Sequence, residues 1–269
     1  MLLRALILAV VMATSTACNS LSSHPKQVES EQEKTQGVAE VPAFLLDSSK
    51  YDSIEYAEDD RYSCVGALVN GKADILGSAV LIHPRVILTA QHCIVMPEEK
   101  PQYFLTQNGQ LIRITKAILL DGYDVNSIKN DLALCILEED CAEPPAEILR
   151  HFYELNPGEE LVTVGWSLGY KKVSHPGIVS YYGSLIEDYG RIMRMLAIRG
   201  SVYYGDSGGA VFEDGGKLAG IINFFQKDKL TNQIIDNGAA RLDFYYEWID
   251  KVIKEEDLCD WPWYTYSDK

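Results

Sequence analysis

Apolar residues along this chain come in short stretches cut by turn residues, a strand pattern rather than a helical one. Residues 65–69, then Asn70-Gly71, then 73–82 read as a hairpin, because Asn-Gly suits a type I′ turn. Residues 103–107, Asn108-Gly109 and 111–120 repeat the signal. The apolar run 80–88 continues the strand character, and 132–137 reads as a short buried strand. Residues 138–145 break the pattern with Glu, Asp and Pro and are expected to link two halves. Strand character resumes at 161–166, 193–198, 210–212, 218–225 and 234–242, with Gly215-Gly216 as one more hairpin turn. Near the C-terminus Phe244, Trp248 and Val252 fall at helical spacing, with Ile249 and Ile253 alongside. No repeat of fixed period appears.

The two ends differ from this body. Arg4 precedes an apolar run at 5–11 and then Ser15-Thr16-Ala17-Cys18, so residues 1–17 read as a signal peptide. The run is too short for a transmembrane helix, and no other stretch of the chain could span a bilayer. Residues 19–40 are polar without apolar periodicity and cannot offset their ordering entropy, which makes them a flexible tether. The aromatic tail Trp261-Pro262-Trp263-Tyr264 fits packing better than an exposed contact patch.

Charge excludes one class of partner. The 269 residues carry 24 Lys and Arg against 39 Asp and Glu, a net charge of −15. Such a chain repels phosphate backbones, so nucleic acid is not a partner, and the charge serves solubility. The length is enough to bury a large core.

The chemistry concentrates at three places. Tyr204-Gly205-Asp206-Ser207-Gly208-Gly209-Ala210 sets a hydroxyl beside a carboxylate in a glycine-rich turn. There the amides of Gly205 and Ser207 could converge on an oxyanion. A serine hydroxyl needs a base. Leu88-Thr89-Ala90-Gln91-His92-Cys93 offers one, and Asn130-Asp131-Leu132-Ala133-Leu134 offers a carboxylate to orient it. Taken singly, Ser207 could sit in an ordinary turn, His92 in a core and Asp131 at a strand cap. Together, in this order, the three motifs agree on one context. The remaining histidines, His24, His83, His151 and His175, do not cluster at ligand spacing, so no metal and no cofactor is expected.

At these motifs the chain resembles the chymotrypsin-like (trypsin family) serine proteases over roughly residues 51–253. The resemblance implies an all-β fold of two six-stranded antiparallel Greek-key barrels packed face to face, followed by a C-terminal α-helix. Residues 51–150 would form the first barrel with His92 and Asp131, residues 151–242 the second with Ser207, and 243–269 the helix and tail. Residues 18–50 would be a tether or pro-segment. The implied activity is hydrolysis of peptide bonds in a peptide or protein substrate, by a monomer, with Ser207 as nucleophile, His92 as base, Asp131 orienting it, and Gly205 and Ser207 as the oxyanion hole. Gly165-Trp166 resembles the pair that opens a surface loop in the family's second barrel.

The resemblance also carries expectations about specificity, activation and export. Ser201, six residues before Ser207, would lie at the base of the primary pocket, where an Asp would demand Arg or Lys. In the strand Gly220-Ile221-Ile222-Asn223-Phe224-Phe225, Asn223 replaces a Ser and Phe225 a Gly, which narrows the pocket and favours small, uncharged substrate side chains. Asp206 would be buried in the mature enzyme. Its partner would be either the amine of Tyr51, freed by cleavage after Lys50, or an internal Lys or Arg in a chain with no zymogen. Of the cysteines, Cys64 would replace the missing family partner of Cys93, Cys141 and Cys259 would pair, and Cys135 looks like a buried thiol. The stretch before Cys18 resembles a bacterial lipoprotein signal, which implies an exported protein held at a membrane, outer membrane or cell surface, by a lipid on Cys18. Ordinary cleavage near Ala17 would instead give a free secreted protein. A second functional class stays open: a catalytically silent relative that binds peptides or a partner protein through the same cleft.

Overall fold

In a computed structural model, the protein is described over residues 55–259, apart from 57–59, 126–128, 151–158, 168–171, 186–192, 201, 228–229 and 231–233. The signal segment, Cys18, the tether, Lys50, Tyr51, Ser201 and the aromatic tail lie outside the described residues.

Strands β2 (Val65–Val69), β3 (Ile75–His83), β4 (Val86–Thr89), β5 (Tyr103–Leu105), β6 (Leu111–Leu119) and β7 (Ala133–Leu137) form a closed antiparallel barrel in the order β2-β3-β4-β7-β6-β5. A second antiparallel sheet holds β8 (Glu160–Gly165), β9 (Val173–Leu185), β10 (Met193–Gly200), β11 (Ala210–Glu213), β12 (Leu218–Lys227) and β13 (Ile234–Arg241). Its order is β9-β10-β13-β12-β11-β8, and β8 pairs back onto β9, which joins the ends of the six. A two-residue strand, β1 (Glu55–Tyr56), lies beside Val173 and Ser174 of β9. The helices are α1 (His92–Val95) and α2 (Tyr246–Glu255). The fold is thus the all-β architecture with a C-terminal helix that the resemblance implies.

Three hairpins share one turn. In each, the first residue donates its N–H to the carbonyl four residues on, and its own carbonyl accepts from the residue three on: Asn70 with Ala73 and Asp74, Thr106 with Gly109 and Gln110, Glu213 with Gly216 and Lys217. The fourth residue takes positive φ each time, at 66°, 83° and 85°. A side-chain oxygen of the first residue caps an amide at the end of the turn. The Asn-Gly pairs are therefore not the centres of two-residue type I′ turns. At Asn70 the asparagine is wanted as a cap, and an alanine carries the left-handed step.

Two strands escape the hydropathy reading. β1 is two residues long. β9 contains Pro176, Gly177 and Gly183, which ordinarily break strands. It is held from both sides, by β8 along 173–178 and by β10 along 177–185. Pro176 falls where β1 has ended and β10 has not begun.

Alternation on β11 and β12 buries both faces of the second sheet. Ala210, Phe212, Leu218 and Ile221 join the barrel residues and the helix residues Ile249, Val252 and Ile253 in one core. Val211, Ala219 and Ile222 point the other way, into a smaller core with Leu161, Ile198, Val202 and Phe225. The buried helix face is therefore centred on Ile249, Val252 and Ile253, while Phe244 precedes the helix in a 3-10 turn and is 40% exposed. The linker is stitched to both halves. Cys141 and Ala146 donate N–H groups to Pro84 and Leu81 of the barrel, and Leu149 and Leu218 bond Leu218 and Glu147 at the second sheet. Buried Lys172, just before β9, donates to the Tyr62 carbonyl and to Gln107 Oε1 across the same boundary.

The cysteine expectations need correction. Cys64, Cys93, Cys135, Cys141 and Cys259 are all free thiols. Cys93 faces Gly77 and the Ser207 carbonyl rather than Cys64. Cys135 is fully buried, as read, and burial pushes its pKa up to about 12.

Candidate active site

His92 stands where β4 ends and α1 begins, so its backbone is fixed by a strand on one side and a helical turn on the other. Asp131 stands just before β7, the strand that pairs with β4. Its carboxylate is buried and accepts two bonds from one residue: His92 N–H to Oδ1 at 2.8 Å, and Nδ1–H to Oδ2 at 2.7 Å. A carboxylate only accepts, so Nδ1 carries a proton, and in the neutral ring Nε2 presents the lone pair. Burial alone would lower the His92 pKa. The charge and hydrogen bond of Asp131, together with the neighbouring Cys93, outweigh burial and hold the imidazole well above its ordinary 6.5.

The turn carrying Ser207 is shaped by short-range bonds. Asp206 N–H donates to the Tyr203 carbonyl at 3.1 Å, and Gly209 N–H to the Asp206 carbonyl at 2.8 Å. Gly208 and Gly209 exchange bonds with Ile222 of β12. Gly205 and Gly208 have φ of 96° and 83°, the region that favours glycine. At Gly208 space forbids a side chain as well, because a Cβ would run into the Ser78 carbonyl and Thr89 Oγ1. The Ser207 carbonyl accepts from Ser78 N–H at 2.8 Å and from the Cys93 thiol at 3.5 Å, so the residue after His92 touches the residue at 207. Among the described residues, the amides of Gly205 and Ser207 donate to no protein acceptor.

Asp206 is buried beneath this turn. Ser167 Oγ donates to its Oδ1 at 2.7 Å and Tyr203 N–H to its Oδ2 at 2.9 Å. Burial pushes its pKa up to about 7, against the pull of these two donors.

Of the residues expected at the substrate pocket, Asn223 and Phe225 are both buried. Phe225 packs in the core of the second sheet with Val202 and Ala239, and the ring of Tyr204 meets it edge-on at 4.9 Å between centroids. Ser78, Thr89 and Ser167 are supports that the motif reading missed. Their signal is a hydroxyl inside an otherwise apolar strand or just past its end, but their partners are remote in sequence. Among the described residues no group of His, Cys, Asp and Glu is arranged to hold a metal.

Comparison with known proteins bears on the family and the fold. The trypsin family model matches residues 54–249. Among solved structures, kallikrein-related peptidase 10 superposes with a TM-score of 0.58 at 20% identity, covering 73% of this chain and 98% of its own. No curated protein matches the sequence at a significant level. With the family model spanning both sheets and reaching the first turn of α2, the chain belongs to the trypsin family of serine proteases.

Proposed function

We propose that the chain is an exported serine endopeptidase whose triad is His92, Asp131 and Ser207. The observation that carries this reading is the two-point hold of Asp131 on His92, beside a turn whose Gly205 and Ser207 amides have no acceptor among the described residues. His92 Nε2 takes the Ser207 proton as the hydroxyl attacks a peptide carbonyl, then gives it to the leaving amine. Asp131 stabilises the imidazolium formed in between. The Gly205 and Ser207 amides hold the tetrahedral oxyanion, each contributing on the order of 3 kcal/mol to lowering the barrier. Water then hydrolyses the acyl-enzyme. Phe225, with Asn223 and Ser201 as the other pocket residues, restricts the substrate to small, uncharged side chains. A lipid on Cys18 tethers the mature enzyme to a membrane.

The test is labelling of the mature protein with a serine-directed fluorophosphonate. Labelling abolished in Ser207→Ala supports the enzyme, whereas a folded wild type that never labels identifies a peptide-binding, catalytically silent relative. The tether is checked separately: Cys18→Ala should move the protein from the membrane fraction to the soluble one, and unchanged partition would point to another anchor.

A further inference from the structure

Three consecutive residues of the nucleophile turn are each held by a serine from elsewhere in the chain. The Gly205 carbonyl accepts from Ser78 Oγ at 2.7 Å. The Asp206 carboxylate accepts from Ser167 Oγ. The Ser207 carbonyl accepts from Ser78 N–H. Ser78 lies in the middle of β3, in the first barrel, and is fully buried. It therefore holds both residues whose amides face the developing charge, and it does so from the opposite half of the molecule.

The chemistry of a hydroxyl makes this hold directional. Ser78 Oγ has one proton, and it accepts the Trp166 N–H at 2.9 Å, so its proton is committed to the Gly205 carbonyl. Gly205 has no side chain and sits at positive φ, so nothing in its own structure fixes its torsions. Pinning its carbonyl restricts rotation of the whole residue, amide included. An oxyanion hole works only if its donors are aimed before charge develops. The remaining polar atoms of Ser78 are used too: its carbonyl accepts from Thr89 Oγ1 at 2.7 Å. In this fully buried place no water can stand in for a lost hydroxyl.

We infer that Ser78 is a positioning residue for the oxyanion turn, orienting the Gly205 and Ser207 amides from the first barrel; its effect on turnover rests on the peptidase reading above. Its hydroxyl touches neither substrate nor reacting atoms and acts through Gly205. The same hydroxyl ties the turn to Trp166, the neighbour of Ser167, so one relay of Ser78, Trp166 and Ser167 braces residues 205–207 together.

The experiment compares wild type with Ser78→Ala and with Ser78→Cys, which keeps the shape and a weak donor. In Ser78→Ala, kcat should fall roughly tenfold to a hundredfold with KM changed less than about threefold, because the oriented amides act in the transition state. Affinity for a peptide aldehyde, whose hemiacetal oxygen needs the hole, should fall by a similar factor, while affinity for the same peptide as a carboxylic acid stays. Ser78→Cys should lie between. Hydrogen exchange at the bonded amides of Gly208 and Gly209 should quicken in Ser78→Ala while the barrel strands keep their protection. A folded Ser78→Ala with kcat within twofold of wild type, or with KM and kcat altered alike, overturns the inference. If the wild type proves inert, the peptidase reading fails, and exchange at Gly208 and Gly209 decides: quickened exchange supports the positioning role, unchanged exchange overturns it.

Discussion

Asp131 grips His92 by both the backbone N–H and the ring Nδ1, through its two different oxygens. One carboxylate thus sets the placement, the tilt and the tautomer of the imidazole. Replacing it by Asn would keep the shape but offer an amide N–H where an acceptor is needed. In Asp131→Asn, kcat should drop by about four orders of magnitude in a protein of wild-type thermal stability. A loss under tenfold would remove Asp131 from the mechanism.

The same pair fixes the direction of the pH response. His92 works as a base only when neutral, and its pKa is held well above 6.5. Activity should therefore be low in acid and rise with pH through a midpoint above 6.5. In Asp131→Asn the charge that raises the pKa is gone, so the midpoint of the residual activity should move down. Profiles of kcat/KM from pH 5 to 9 check both, and a flat profile would exclude His92 as the base.

Asp206 responds with the opposite sign. Its folded pKa of about 7 lies above its ordinary 3.8, so the folded state disfavours the charged form. Its contribution is intact below pH 3.8 and is lost as pH rises through 7, by roughly 4 kcal/mol at most. The thermal stability of wild type relative to Asp206→Asn should accordingly fall between pH 5 and pH 8.5. A relative stability that rises over this range would show that a cation pairs with Asp206. Measuring it again after cleavage following Lys50 would reveal whether the new amine of Tyr51 is that cation.

Phe225 fills space in the second core with Val202, Ala239 and Tyr204. Phe225→Gly should open the pocket and raise kcat/KM for substrates with Phe or Leu at the cleavage site relative to those with Ala. The core should lose on the order of 4 kcal/mol, seen as a lower melting temperature. An unchanged preference would remove Phe225 from substrate selection.

Gly77 and Cys93 stand at disulfide distance. A Cβ on Gly77 would lie 3.5 Å from Cys93 Cβ and 2.9 Å from its sulfur, at the short end of the Cβ separation of about 3.5–4.5 Å that a disulfide needs. Gly77→Cys should oxidise to a bridge, detected by mass spectrometry and by loss of two thiols relative to the reduced variant. Two free thiols after oxidation would mean that β3 cannot give way.

Short-range signals were the readable ones. The motifs around His92, Asp131 and Ser207 are local strings, and most strands are apolar runs between turns. β9 was hidden because pairing with β8 and β10 overrides what Pro176 and Gly177 prefer. The serine supports were hidden because Ser78 and Gly205 are 127 residues apart, and Ser167 and Asp206 are 39 apart. Hydropathy holds no record of such contacts. The cysteine pairings failed for a related reason: Gly77 occupies the partner's place, and the thiol of Cys93 turns to a carbonyl instead.

One apolar core threads the first barrel, one face of β11 and β12, and the terminal helix. Neither half can therefore melt without stripping side chains from the other. Scanning calorimetry should record a single peak whose van't Hoff and calorimetric enthalpies agree. A fragment ending at residue 150 would leave the barrel side of that core facing water, and should aggregate alone yet dissolve when refolded together with its complement. The setting of the Ser207 turn and global cooperativity are thereby coupled, since the surface that holds the turn is the surface on which the halves fold.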